Sequence, residues 1–159
     1  LIEVLPKHIP TSELHAIVHG DFRLDNLMID LKLPRVIGVL DWELSTLGHP
    51  VADFAYHCMS WHIPPTLWRG IGGLDLKALS IPTEAEYVDL YIQRTGFTDV
   101  KAHWNFYLAY NFFRIAAILH GIGQRVRQGN AASDDAIDMA SKAEPLAQLG
   151  WQFAQRLDG

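Results

Sequence analysis

"HGDFRLDNLMID", residues 19–30, places one histidine, three aspartates, an arginine and an asparagine beside two short apolar runs, 15–18 and 27–29. A third run, "VIGVL", follows at 36–40. Short, largely β-branched runs bounded by turn residues indicate strands, so we predict a small β patch here. The polar residues at the strand ends form either a turn, because Asp and Asn favour turns, or a reaction centre.

The rest of the sequence predicts helices, with approximate limits 51–61, 83–95, 99–127 and 134–157. Pro50 is well placed to open the first of them, because proline fits the first helical turn. Thr83 and Glu86 have the spacing of a capping box, and Gly96 follows the end of that helix. Residues 62–85, which contain several prolines and glycines, are predicted to be an irregular insertion.

The last predicted helix carries two residues that disfavour helical structure. Ser133 or Asp134 can cap its start, and Pro145 and Gly150 are expected to kink or break it. The whole pattern predicts an α+β fold that is mainly helical, with the small β patch carrying the polar loop.

Composition excludes several classes of protein. The chain has 159 residues, of which 49% are hydrophobic, and a net charge of −5, which argues against a nucleic-acid partner. The most apolar stretch, residues 104–119, is short for a membrane span and contains an arginine, so no membrane partner is expected. Cys58 is the one cysteine, which excludes an internal disulfide and makes a cytoplasmic location the default expectation.

The spacing His19-x-Asp21-x4-Asn26 has the skeleton of a kinase catalytic loop. In such a loop Asp21 can point at a substrate hydroxyl, while Asn26 offers a neutral oxygen to Mg²⁺. Asp41 stands at the end of the run 36–40, and a β hairpin would bring it back beside Asn26. An amide oxygen and a carboxylate together suit Mg²⁺, which prefers oxygen ligands.

Three stretches, "HGDFRLDN", "VIGVLDWELSTLGHPVADFA" and "FFRIAAILHGIGQRVRQGNAAS", resemble the aminoglycoside phosphotransferase and choline kinase superfamily. The closest likeness is to the kinase-like domains found with acyl-CoA dehydrogenases. The resemblance implies that residues 1–159 form a protein-kinase-like C-terminal lobe. It also implies ATP- and Mg²⁺-dependent phosphorylation of a small-molecule hydroxyl, with a hint of a hydroxylated acyl or carboxylate substrate.

The resemblance assigns roles to five residues of these stretches. It makes Asp21 the catalytic base and Asn26 and Asp41 the Mg²⁺ ligands. It makes His19 and Asp53 structural supports of the catalytic loop.

The same family has an N-terminal lobe with a phosphate-covering loop and a lysine, and nothing upstream of residue 19 matches these parts. The glycine-rich stretch 69–76, "RGIGGLDL", does not follow a predicted strand and is a weak phosphate cradle. We therefore expect the N-terminal nucleotide lobe to be absent from this chain and to be its partner in the whole protein. The isolated segment is expected to bind Mg-ATP poorly and to transfer little phosphate.

Two arginines have alternative interpretations. Arg23 either pairs with a neighbouring acid or meets a phosphate or substrate carboxylate. Arg114 lies on an apolar helix and either has a structural carboxylate partner or, with Tyr110 one turn away, holds an acidic group of the acceptor.

The function also has alternatives. The first is a non-catalytic kinase-like binding module. The second is a metal-dependent phosphoesterase that uses His19 and the aspartates, for which few further histidines stand nearby. The phosphate donor can be ATP or GTP.

Overall fold

The computed structural model describes residues 1–12, 14–128 and 134–157. In this part of the chain, four short strands precede five α-helices. The strands are β1 (Ala16–Val18), β2 (Leu27–Ile29), β3 (Val36–Val39) and β4 (Thr46–Gly48). The helices are α1 (Pro50–Cys58), α2 (Glu84–Thr95), α3 (Trp104–Arg127), α4 (Asp134–Ser141) and α5 (Ala143–Ala154). The predicted class, mainly helical α+β with a small β patch, is confirmed.

The β patch consists of two antiparallel pairs. β2 pairs with β3 as a hairpin, with Leu27 opposite Val39, which confirms the predicted hairpin. β1 pairs with β4, with Val18 opposite Thr46. β4 was not predicted, because its three residues stand between polar and turn residues and show no alternation of their own. The β1–β4 pair carries the start of the polar loop.

The long helix α3 is the centre of the core and packs against α1, α4 and α5. Leu108, Phe112, Ile115 and Leu119 recur at intervals of three and four residues, so they share one face, and all four are buried. The Phe112 ring stacks on Phe153 of α5, with ring centroids 5.8 Å apart. Each such buried side chain stabilises the fold by about 1.5–3 kcal/mol.

The capping box is present, and the predicted limits of α2 are confirmed to within one residue. The first helix ends at Cys58, before a 3-10 helix at Met59–Trp61, and the last ends at Ala154, each three residues earlier than predicted. The Thr83 hydroxyl accepts a hydrogen bond from the Glu86 backbone N–H at 3.3 Å. The Glu86 carboxylate accepts one from the Thr83 backbone N–H at 2.8 Å. Gly96 ends α2 in the left-handed conformation. The predicted start of the long helix near residue 99 was early, because residues 98–103 form a 3-10 helix before α3 begins.

The predicted break in the last helix was placed at the wrong residues. The chain breaks between α4 and α5 at Lys142, not at Pro145 or Gly150. Pro145 lies in the first turn of α5, where its missing N–H removes no helical hydrogen bond. Gly150 is buried within α5. The alternative cap Ser133 lies outside the described residues.

The glycine-rich stretch 69–76 is used for packing against the chain after α1. The Gly72 N–H donates to the Ile63 carbonyl oxygen at 2.9 Å, and the Ile71 N–H donates to the Ser60 carbonyl oxygen at 2.7 Å. A Cβ atom on Gly70 would overlap the Ile63 carbonyl group. These glycines therefore permit a close backbone approach.

No helix within the described ranges 1–12, 14–128 and 134–157 is both long and apolar enough to cross a membrane.

The close approach at Gly70 predicts a specific stability effect. We expect Gly70→Ala to lower the free energy of unfolding by about 1–3 kcal/mol, because the added methyl group has no space. Gly121→Ala is the control: a Cβ there meets no atom within 4 Å, and alanine favours the helix by up to about 1 kcal/mol. Urea unfolding of both variants measures the difference, and equal stabilities would contradict this account.

Candidate active site

The backbone of the polar loop is held by a carboxylate of α1. Asp53 accepts hydrogen bonds from the backbone N–H groups of His19, at 2.7 Å to Oδ2, and of Gly20, at 2.9 Å to Oδ1. Asp53 stands in the first turn of α1, where the helix dipole also favours a negative charge. Gly20 has a φ of 82°, and a Cβ there would lie 2.6 Å from the Leu44 carbonyl oxygen. The loop therefore leaves β1 along one fixed path.

The His19 side chain links two parts of the site. Its ring is buried, and Nε2 lies 2.7 Å from the Leu40 carbonyl oxygen, which can only accept a hydrogen bond. Nδ1 lies 3.2 Å from the Asp21 backbone N–H, which can only donate. These partners fix the neutral tautomer with its proton on Nε2. The ring thus joins Asp21 to the residue that precedes Asp41.

Asp21 and Asn26 are joined by side-chain hydrogen bonds within one loop. The buried Asn26 amide donates from Nδ2 to the Asp21 backbone oxygen at 2.9 Å and to its carboxylate oxygen Oδ2 at 3.2 Å. Both partners are acceptors, so they settle the orientation of the amide. Its carbonyl oxygen Oδ1 has no hydrogen-bond donor among the described residues. That oxygen is suited to a hard cation.

Asp41 follows β3 at the end of the hairpin nearest to Asn26. The Leu40 N–H donates to the Asn26 carbonyl oxygen at 2.8 Å, which brings these chain segments together. Asp41 itself is exposed and has a φ of 65°, a left-handed conformation uncommon outside glycine. Such conformations concentrate at functional sites. The two candidate ligands therefore stand at the same end of the hairpin.

These donors fit Mg²⁺ only as part of a larger coordination shell. Within the described residues, no group of three or more His, Cys, Asp or Glu side chains could hold a metal by itself. An ion that keeps several waters and takes phosphate oxygens needs just one or two protein ligands, which is the usual situation of Mg²⁺ with nucleotides. Asn26 and Asp41 match that requirement.

A tyrosine that the sequence did not single out contacts Asp21. The Tyr56 hydroxyl on α1 donates to Asp21 Oδ1 at 2.7 Å. Burial first, and then this hydrogen bond, raise the pKa of the Tyr56 phenol well above its ordinary value, so the phenol keeps its proton. The one signal in the sequence was position: Tyr56 lies three residues after Asp53, on neighbouring faces of the same helix.

The two arginines meet the loop in different ways. Arg23 Nε lies 3.2 Å from Asp21 Oδ2 and Arg23 Nη1 lies 3.7 Å from Asp25 Oδ2, so Arg23 does pair with neighbouring acids. Arg114 donates a hydrogen bond to the Gly20 carbonyl oxygen, and its guanidinium carbon lies 5.1 Å from the centroid of the Tyr56 ring. Its partners in the described structure are thus a carbonyl oxygen and an aromatic ring, and not the carboxylate of the structural interpretation.

Tyr110 lies away from these contacts. Its ring stacks on Phe106, with centroids 6.4 Å apart, and it lines an apolar cavity of about 680 Å³ with residues such as Leu5 and Leu47. No described contact joins Tyr110 to Asp21. A substrate role for Tyr110, Arg114 or Arg23 stays a prediction.

Comparisons with known proteins show what this chain is similar to. The sequence model of the phosphotransferase enzyme family matches residues 1–103. A crystal structure of a candidate aminoglycoside phosphotransferase from Ralstonia eutropha JMP134 superposes with a TM-score of 0.90 at 55% identity. The match covers 98% of this chain and 47% of that one, and it confirms the kinase-like fold.

Two curated relatives are much longer than this chain. Acyl-CoA dehydrogenase family member 10 of Mus musculus is 44% identical over 158 residues, which are 98% of this chain and 15% of that protein. Acyl-CoA dehydrogenase family member 11 of Homo sapiens is 38% identical over 157 residues, or 98% of this chain and 20% of that protein. The chain therefore spans about one-fifth or less of these relatives.

The Asp53 contacts predict a large effect of a small substitution. We expect Asp53→Asn to lower the free energy of unfolding by about 2 kcal/mol, because an amide N–H₂ group then faces one of two backbone donors. Asp89→Asn is the control, since Asp89 forms an exposed ion pair with Lys101 that contributes at most about 1 kcal/mol. Denaturant unfolding compares them. If both variants lose the same stability, Asp53 does not hold the loop.

Proposed function

The chain belongs to the phosphotransferase enzyme family, and we propose that it is the catalytic lobe of an ATP- and Mg²⁺-dependent small-molecule kinase. The observation that carries the proposal is the joint placement of three side chains. The Asp21 carboxylate and the Asn26 amide lie on one loop, and Asp41 follows the strand that pairs beside it. These are the residue types that phosphoryl transfer to a hydroxyl requires.

In the proposed reaction, the Asp21 carboxylate accepts the proton of the acceptor hydroxyl while that oxygen attacks the γ-phosphorus of ATP. The bond from the γ-phosphorus to the bridging oxygen breaks, and ADP leaves. The Asp21 side chain is 18% exposed, so an acceptor can reach it although it is held by the loop. Phosphoryl transfer depends mainly on positioning and charge neutralisation, and a rigid loop supplies the positioning.

We assign Asn26 and Asp41 to the metal. Their oxygens would hold Mg²⁺, which would neutralise the negative charge of the phosphates when bound. His19 and Asp53 act on the shape of the loop, because their bonds go to backbone groups.

The remaining nucleotide contacts are proposed to come from an N-terminal lobe of the whole protein. Two observations support this. The glycine-rich stretch 69–76 is occupied with packing, and the β2–β3 hairpin beside the site leaves Met28, Ile37 and Leu40 about half exposed. Exposed apolar groups beside a polar site are typical of a surface that another part of the protein covers.

We place the reaction in the cytoplasm, where the buried thiol of Cys58 would stay reduced.

The proposal predicts that Asp21→Asn nearly abolishes phosphate transfer. In the full-length protein that carries this chain, we expect ADP release from Mg-ATP to fall at least about 100-fold, because the general base is lost. The assay is run with a panel of hydroxy acids, amino alcohols and aminoglycosides as acceptors. Asp89→Asn, an exposed aspartate far along the chain on α2, is the matched control and keeps the wild-type rate.

Two results would count against the proposal. Wild-type turnover that survives Asp21→Asn would remove Asp21 as the base. A wild-type protein that binds Mg-ATP but releases no ADP with any acceptor would favour the non-catalytic binding module.

A further inference from the structure

The Tyr56 hydroxyl donates a hydrogen bond to Asp21, the candidate base, although Tyr56 lies on α1, outside the catalytic loop. We propose that Tyr56 is a positioning residue, whose hydroxyl fixes the Asp21 carboxylate so that its Oδ2 oxygen faces the acceptor. The inference rests on the proposed function and extends it to a residue that the loop motif does not contain.

The two oxygens of the Asp21 carboxylate have contacts of different lengths, which indicates different roles. Oδ1 receives a short hydrogen bond of 2.7 Å from the Tyr56 hydroxyl. Oδ2 has longer contacts, of 3.2 Å each, to the Asn26 amide and to Arg23 Nε. An incoming hydroxyl can therefore replace a contact at Oδ2 more easily than at Oδ1.

Donors on both oxygens also prevent rotation of the carboxylate. Tyr56 belongs to α1 and Asn26 to the loop, so two separate elements hold the plane of the Asp21 carboxyl group. Without the phenol, one of these restraints is gone and Oδ1 loses its donor. A small rotation of a base away from its substrate is costly, because proton transfer requires hydrogen-bond distance.

Arg114 on α3 contacts the ring of Tyr56. Its guanidinium lies 5.1 Å from the centre of the Tyr56 ring, within the range of a cation–π interaction. The same side chain donates to the carbonyl oxygen of Gly20, the residue before Asp21. One side chain of α3 thus restrains both the ring that bonds Asp21 and the backbone that carries it.

The test compares Tyr56→Phe with Tyr91→Phe in the full-length protein. The first keeps the ring beneath Arg114 and removes only the hydroxyl. The control removes a hydroxyl that has no described hydrogen bond from a ring stacked on Phe54 at 3.8 Å. We expect Tyr56→Phe to lower kcat for ADP release about tenfold, with KM for ATP changed by no more than about twofold. Tyr91→Phe leaves both constants at the wild-type values.

A second measurement needs no turnover. Tyrosine labelled with ¹³C at Cζ reports the hydrogen bond of the Tyr56 hydroxyl through its NMR chemical shift near neutral pH in the full-length protein, and Tyr56→Phe identifies its signal. In Asp21→Asn the acceptor of this hydrogen bond loses its negative charge, so the bond weakens and the Tyr56 Cζ signal shifts. Asp89→Asn leaves the signal unchanged.

The outcomes distinguish the positioning role of Tyr56 from the proposed kinase function. If Asp21→Asn is inactive while Tyr56→Phe has wild-type kcat, the positioning role is wrong and the proposed function stands. A decrease that appears in KM for ATP and in the melting temperature but not in kcat indicates a merely structural tyrosine. An unchanged Tyr56 Cζ signal in Asp21→Asn also overturns the inference. If the wild type has no turnover, both claims fall together.

Discussion

The two hydrogen bonds from the loop backbone to Asp53 are the constraint on which the site depends. β1 has three residues and cannot by itself fix the chain that follows it. The N–H groups of His19 and Gly20 need acceptors, and one carboxylate on α1 satisfies both. Because α1 packs against the central helix α3, Asp53 anchors the loop to the core.

From that fixed point the other contacts follow in order. His19 can reach the Leu40 carbonyl oxygen because its backbone is held, and Leu40 in turn is bonded to Asn26. The hairpin end and the loop therefore form one unit, although each is short. Helices supply the rigidity, and loop residues supply the carboxylate and amide oxygens. This division suits a reaction in which the protein contributes mainly position and electrostatics.

The sequence alone was sufficient where spacing is local. It predicted the hairpin, the capping box of α2 and the closeness of Asn26 to the end of β3. It was insufficient where contacts cross the chain and the family resemblance gives no role. Tyr56 and Asp21 are 35 positions apart, and Arg114 reaches Gly20 across 94, so no periodicity reports either contact. The predicted helix break at Pro145 was also wrong, because Pro145 lies in the first turn of α5 and proline in a first turn does not break a helix.

The most direct test of the account is a crystal structure of the full-length protein with Mg²⁺ and a non-hydrolysable ATP analogue. The account predicts a metal ion about 2.1 Å from Asn26 Oδ1 and from an Asp41 carboxylate oxygen. It also predicts that Asp21 Oδ2 points to the space beyond the γ-phosphate, with Oδ1 still bonded to Tyr56. A nucleotide bound with its metal away from Asn26 and Asp41 would contradict the central claim.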